Sequence, residues 1–271
     1  MKTKFLLSFF LFFIFCSSIA QKSFTEPAIG KITYSFRHMR DTVTRYFHTE
    51  DMMLFYGRSM SAFSSETKYK QDSIRYKAFE NAASNGGEVD LGLVRPVTNE
   101  RIIILNKDKK VLTEAPFQRN TYLITESLEI IKWEILTSTK KINGYNCQKA
   151  ICTFKGRNYE AWFTPEIPFS FGPWKLNGLP GLILDVSDIK KEVQFTAVSI
   201  HNSPKRNIMV NENVIPTTKT SFNKMMLAFM DGSARTADPS NGDSRIEGIS
   251  LRGYGNKKGN ININNPIDKG N

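Results

Sequence analysis

From Gly30 to Ile200, outside the polar stretch 65–90 and the proline- and glycine-rich stretch 165–181, the chain is a succession of short apolar runs cut by turn residues, and that rhythm leaves little choice of fold. Ile32, Tyr34 and Phe36 alternate with Thr33, Ser35 and Arg37, the period of a strand buried on one face. Similar runs follow at Met52 to Tyr56, Ser59 to Ser64, Arg101 to Asn106, Lys110 to Thr113, Thr121 to Thr125 and Lys132 to Thr137. Tyr145 to Phe154, Asn158 to Phe163, Leu182 to Val186 and Val193 to Ile200 complete the series. Asn143-Gly144 and Lys155-Gly156 supply the positive φ that tight hairpins require. The expected fold class is mainly β, a curved antiparallel sheet or half-barrel of roughly nine to eleven strands.

The period changes once. Phe222, Met225, Met226, Phe229 and Met230 recur at helical spacing, predicting one C-terminal amphipathic helix over 220–231 packed on the concave side of the sheet. Thr220 is its expected cap and Gly232 its stop. Residues 65–90 read as a polar insertion with Tyr69, Tyr76, Phe79 and Ala83 at loose helical spacing, halted at Gly86-Gly87. Residues 232–271 are rich in Gly and Asn and read as a flexible tail, with an edge-strand-like alternation at 260–264. The expected organisation is a leader at 1–20, a single β-rich domain at 21–231, and the tail.

Lys2 and Lys4 precede an apolar run from Phe5 to Cys16, and Ser17-Ser18-Ile19-Ala20 ends in a small-x-small pattern. This is the pattern of a secretory signal cut after Ala20, and it predicts a periplasmic or outer-membrane-associated protein with no transmembrane segment in the mature chain. Phe15 before Cys16 argues against lipid attachment. Net charge is +11, but the basic residues are scattered as pairs such as Lys140-Lys141 and Lys190-Lys191, so no nucleic-acid partner is expected. Cys147 and Cys152, five apart in one predicted strand, would point to opposite faces and beyond bridging reach, and are expected as buried thiols.

Residues 172–186, Gly172-Pro173-Trp174-Lys175-Leu176-Asn177-Gly178-Leu179-Pro180-Gly181-Leu182-Ile183-Leu184-Asp185-Val186, cannot be an interior strand, because proline donates no ladder hydrogen bond and glycine has no side chain to pack. They predict a rigid loop from Phe163 to Leu182, with Trp174, Leu176 and Leu179 folded under it as plugs. Arg157 is expected to pair with Glu166 or Asp185 across the hairpin.

The blocks Trp133-Glu134-Ile135, Ile142-Asn143-Gly144-Tyr145, Cys147-Gln148-Lys149-Ala150, Phe154-Lys155-Gly156-Arg157 and Ala161-Trp162-Phe163-Thr164-Pro165-Glu166-Ile167-Pro168 precede Gly172-Pro173-Trp174 and Gly178-Leu179-Pro180-Gly181-Leu182-Ile183. In this order they resemble the GLPGLI family of exported Bacteroidetes proteins. The resemblance implies export and a β-rich fold and brings no catalytic residue with it.

No G-x-S-x-G, H-E-x-x-H, P-loop or dinucleotide fingerprint occurs. The three histidines are His38, His48 and His201. No cofactor and no metal are expected. The leading expectation is therefore a non-catalytic binding module for an apolar small molecule or an envelope protein, with Arg157, Trp162, Glu166, Trp174, Leu179 and Pro180 at the rim of its site. The alternative is a hydrolase or metal-dependent enzyme using His48 with Glu50 and Asp51, or carboxylates drawn from Glu160, Glu166 and Asp185.

Overall fold

The computed structural model describes residues 24–85, 89–90, 95–202, 204–230, 251–252 and 264–269. The leader, the Gly86-Gly87 stop, residues 260–263 of the alternating stretch and most of the tail lie outside the described residues.

The elements in chain order are β1 (Thr25–Pro27), β2 (Gly30–Asp41), β3 (Tyr46–Tyr56), β4 (Met60–Ser65), α1 (Glu66–Asn85), β5 (Val89–Asp90), β6 (Arg101–Leu105), β7 (Lys110–Phe117) and β8 (Asn120–Ser127). They continue with β9 (Glu134–Ile142), β10 (Tyr145–Phe154), β11 (Arg157–Thr164), β12 (Leu182–Asp188), β13 (Val193–Asn202), β14 (Asn207–Met209), β15 (Ile215–Thr217), α2 (Lys219–Met230) and β16 (Leu251–Arg252). Twelve strands form one sheet in the order β15-β8-β7-β6-β4-β3-β2-β13-β12-β11-β10-β9. Neighbours are antiparallel except β15, which runs parallel to β8. The sheet does not close, since β15 and β9 remain at opposite edges.

The alternation read from the sequence decides which face is buried. Ile32, Tyr34 and Phe36 of β2 are almost fully buried and meet Met52, Leu54, Phe163, Val186 and Phe195 in the main core. Phe36 stacks on Phe195 with ring centroids 4.6 Å apart. The predicted turns Asn143-Gly144 and Lys155-Gly156 all have positive φ. A smaller cluster around Met60, Ala62, Ile103 and Leu105 packs with Ala28 and Ile208, from beside the added pair β1 and β14.

β10 departs from simple alternation. Its register against β9 shifts between Gln148 and Ala150, and the phase of burial changes with it. Cys147 and Cys152 therefore join the same core instead of facing opposite ways, and both are free thiols.

The predicted helix is present as α2. Its cap is Thr218 rather than Thr220, the Thr218 hydroxyl accepting from Ser221 N at 3.1 Å. Phe222, Met225 and Met226 pack with Ala115 and Ile124, and Phe222 meets Tyr122 edge-on. The polar insertion holds a second helix, α1, of 20 residues, among which only Glu66 and Ala82 are buried. Its apolar positions never formed a stripe, which explains why Tyr69, Tyr76 and Phe79 all remain exposed. At the far end of the chain, residues 264–269 dock on the sheet, with Asn265 only 1% exposed. This part of the expected loose tail is held by polar contacts that hydropathy patterning does not register.

Candidate functional site

The loop between β11 and β12 is a plug. Leu182 N donates to Ile167 O at 3.0 Å, Ile183 N to Phe171 O at 3.0 Å, and Gly178 N to Ser170 O at 3.1 Å, so the segment is hydrogen-bonded to itself. Trp133 Nε1 pins it from outside by donating to Asn177 O at 2.8 Å. Trp174, Leu176 and Leu179 are buried, as expected of plugs. A Cβ at Gly181 would lie 2.1 Å from Thr164 O, so only glycine lets the loop close on the end of β11. Trp174 takes a positive φ of 55°, and its ring meets Phe154 edge-on at 5.8 Å.

One side of this plug faces a cleft of about 460 Å³. Phe36, Ile102, Ile124, Trp174 and Phe222 give it an apolar lining, supplied by β2, β6, β8, the loop and α2. Charged groups converge on the same space: Arg40, Glu100, Glu126, Lys175, Lys219 and Asp268. Lys175 Nζ lies 2.6 Å from Glu126, and Lys219 Nζ lies 3.2 Å from Asp268 and 4.0 Å from Glu126. The Arg40 guanidinium forms no ion pair among the described residues, and burial lowers its pKa. Glu100 is exposed as a residue, yet the protein around its carboxyl strips enough water to push that pKa up. A concave site of this size with apolar and aromatic walls and converging polar groups is the usual form of a small-ligand site, and this one carries more charge than most.

Beneath the cleft lies a closed polar network. Glu50 accepts from His48 Nε2 at 2.9 Å, from Ser65 Oγ at 2.7 Å and from Thr98 N at 3.1 Å. These hydrogen bonds outweigh burial and hold the Glu50 carboxyl below its ordinary range. His38, cross-strand partner of His48, donates from Nε2 to Asn265 O at 2.7 Å. Burial drops its pKa to about 4, so it is neutral at pH 7. The two histidines are neighbours, as the hairpin predicted, but each is committed to a different partner. Among the described residues no three His, Cys, Asp or Glu side chains are grouped to hold a metal.

The six rim residues expected from sequence go to different places. Trp174 borders the cleft, while Leu179 is buried in the main core and Pro180 is exposed on the loop. Trp162 lies on the outward-facing side of β11, with Lys140 Nζ 4.4 Å from its ring centroid. Glu166 is exposed and accepts from Asn146 N at 2.7 Å. Arg157 pairs with neither Glu166 nor Asp185. It is buried, with NH1 2.7 Å from Asp188 and 2.9 Å from Glu192, because β11 alternation turns it inward while Glu166 lies beyond the strand end. Asp185 pairs instead with Lys140 at 2.9 Å, and Glu160 with Lys149 at 2.9 Å. Arg40, Glu100, Lys175 and Lys219 were not legible as site residues, since each is an ordinary surface charge within its own segment.

Residues 91–228 match the family described as N-glycanase peptide, N-terminal domain. A search of curated proteins gives no match. Two solved structures, of PNGF-II in a C2 and in a P21 space group, are each 16% identical to the chain, with TM-scores of 0.48 and 0.49. Each alignment covers 74% of this chain and 33% of the other, so the chain spans about a third of the length of those structures. The family match takes in 138 of 271 residues, and the chain belongs to the N-glycanase peptide N-terminal domain family.

Proposed function

We propose that this chain is an exported, non-catalytic binding module of the GLPGLI kind, and that its cleft takes a glycan-bearing peptide. The observation that carries the reading is the cleft itself, where Arg40 and Glu100 face an apolar lining that includes Trp174. Sugars combine apolar ring faces with dense hydroxyls, and a lining of this composition can serve both. The family description, which names an N-glycanase, supports a glycan over the apolar small molecule that the sequence reading set beside a protein partner. A protein partner remains compatible with it, because the glycan would arrive attached to one.

The enzymatic alternative finds less support. The His48 and Glu50 side chains are 3% and 1% exposed, His48 Nε2 is committed to Glu50, and both Glu50 oxygens are held by His48, Ser65 and Thr98, which leaves the carboxylate no open position for a substrate atom. Glu160, Glu166 and Asp185 are held by three different partners.

The test is calorimetric titration of the full chain with an N-linked glycopeptide, the same peptide without sugar, and the free glycan. Saturable binding of the glycopeptide, weakened at least tenfold by Glu100→Gln or Arg40→Gln, is the expected result. Equal affinity for the bare peptide, or no heat with any of the three, would reject a glycan ligand.

A further inference from the structure

The Asn-Pro segment at 264–269 sits in its groove as a ligand sits in a receptor. Every hydrogen-bonding group of Asn265 is read. Its Oδ1 accepts from Arg157 NH2 at 2.7 Å, its Nδ2 donates to Met39 O at 2.7 Å, its backbone N donates to Arg40 O at 3.2 Å, and its carbonyl accepts from His38. Arg157 also donates to Pro266 O at 2.7 Å and to Ile267 O at 3.1 Å. Lys269 N donates to Lys155 O at 3.0 Å.

Two further features fit a peptide backbone at this place. Gly156, in the turn before Arg157, lies so close that a Cβ there would come within 2.9 Å of Lys269 Cβ and 3.3 Å of its backbone. The groove is also short of positive charge: Arg157 faces both Asp188 and Glu192, and Lys269 brings the second cation to Glu192 at 3.6 Å. Asp268 completes the match at the other end through Lys219. These contacts select amide, acid and base in order, whereas a segment held by burial alone would select only volume.

We infer that this groove is a peptide-recognition site for an Asn-Pro-aliphatic-Asp-Lys sequence, bent at the Asn and at the aliphatic residue, with the chain's own segment as its resident, exchangeable ligand. A partner protein presenting the same chemistry competes for it. Because Pro266, Ile267 and Asp268 also line the cleft, such exchange replaces one wall of that cleft. The segment is joined to α2 through the 33 residues that separate Met230 from Asn264, and a tethered ligand competes at an effective concentration set by its tether. The inference stands apart from the glycan reading, since it concerns a different occupant and is read by peptide displacement.

The experiment uses the full chain and a fluorescein-labelled peptide of residues 264–270, followed by anisotropy. Saturable binding is expected, at least tenfold tighter to the Asn265→Ala chain, whose internal competitor is weakened and whose groove is intact. The same peptide carrying Asn265→Ala should bind at least tenfold more weakly than its parent. Amide exchange of the wild-type chain gives a second reading that needs no variant: excess peptide should speed exchange at Asn265 and Lys269 and leave β12 unchanged. Absence of saturable binding to both chains, or exchange at 264–269 as slow as in β12 and indifferent to peptide, would overturn the proposal and make the segment a fixed part of the core.

Discussion

Arg157 NH2 donates to Asn265 Oδ1 across 2.7 Å, joining residues 108 positions apart in the chain. The same guanidinium pairs with both Asp188 and Glu192 at the β12 to β13 turn, so one side chain fastens both a sheet corner and the far segment. Removing one member of a buried ion pair leaves its partners desolvated and unpaired, at about 3–5 kcal/mol. Arg157→Ala should therefore unfold at markedly lower urea than the wild type, whereas Lys140→Ala, which removes an exposed pair with Asp185, should change stability by under about 1 kcal/mol. Equal midpoints for the two variants would contradict the clamp.

Gly181 tests whether the β11 to β12 loop is a fitted plug. A Cβ there would press on backbone, Thr164 O at 2.1 Å, and backbone cannot swing aside as a side chain can. Overpacking of this kind costs typically about 1–3 kcal/mol and occasionally more, and Gly181→Ala belongs at the upper end. Gly144→Ala is the control, since nothing lies within 4 Å of the added atom and only its φ of 87° is strained. Thermal melts should separate the two by several degrees, and a silent Gly181→Ala would show that the loop can relax.

Acid should loosen the protein from about pH 6.5 downward, through His38. Burial lowers His38 from 6.5 to about 4, so between those values the unfolded chain takes up a proton that the folded chain refuses. Stability present above pH 6.5 is lost as pH falls toward 4, by a total on the order of 3 kcal/mol. Urea midpoints at pH 7.5 and pH 5 should differ more for the wild type than for His38→Gln, which keeps a donor near Asn265 O without the titration. Parallel behaviour of the two proteins would remove His38 as the cause.

The two thiols should be slow to react. Desolvation raises Cys147 to about 11 and Cys152 to about 12, and both are buried. Little thiolate exists at pH 8, so Ellman's reagent should label neither in the native state and both in urea. Rapid native labelling would show that β10 opens locally.

Much of the architecture is legible in the sequence. Two-residue alternation in β2 and the glycine turns at 144 and 156 are local signals, because side-chain direction and φ depend on the residue and its immediate neighbours. The helix at 219–230 was legible for the same reason, through the spacing of Phe222, Met225 and Met226. α1 was only faintly so, since its stability does not come from an apolar stripe. The loop at 165–181 was recognisable as a rigid corner from its prolines and glycines, and its plugs Trp174, Leu176 and Leu179 from their apolar character, although the cleft that Trp174 borders needed the structure.

By itself the sequence determined a β-rich sheet, its principal turns, one amphipathic helix and a loop that no strand could continue. The tertiary structure decided what those parts bring together. The bulge near Gln148 turned Cys147 and Cys152 to one side, the twelve-strand order carried Arg40, Glu100, Lys175 and Lys219 to one cleft, and Arg157 found Asn265 instead of Glu166. The physical reason is range: periodicity and backbone preference act over a few residues, while charge pairing and cleft formation depend on which distant strands become neighbours, and only the folded sheet fixes that.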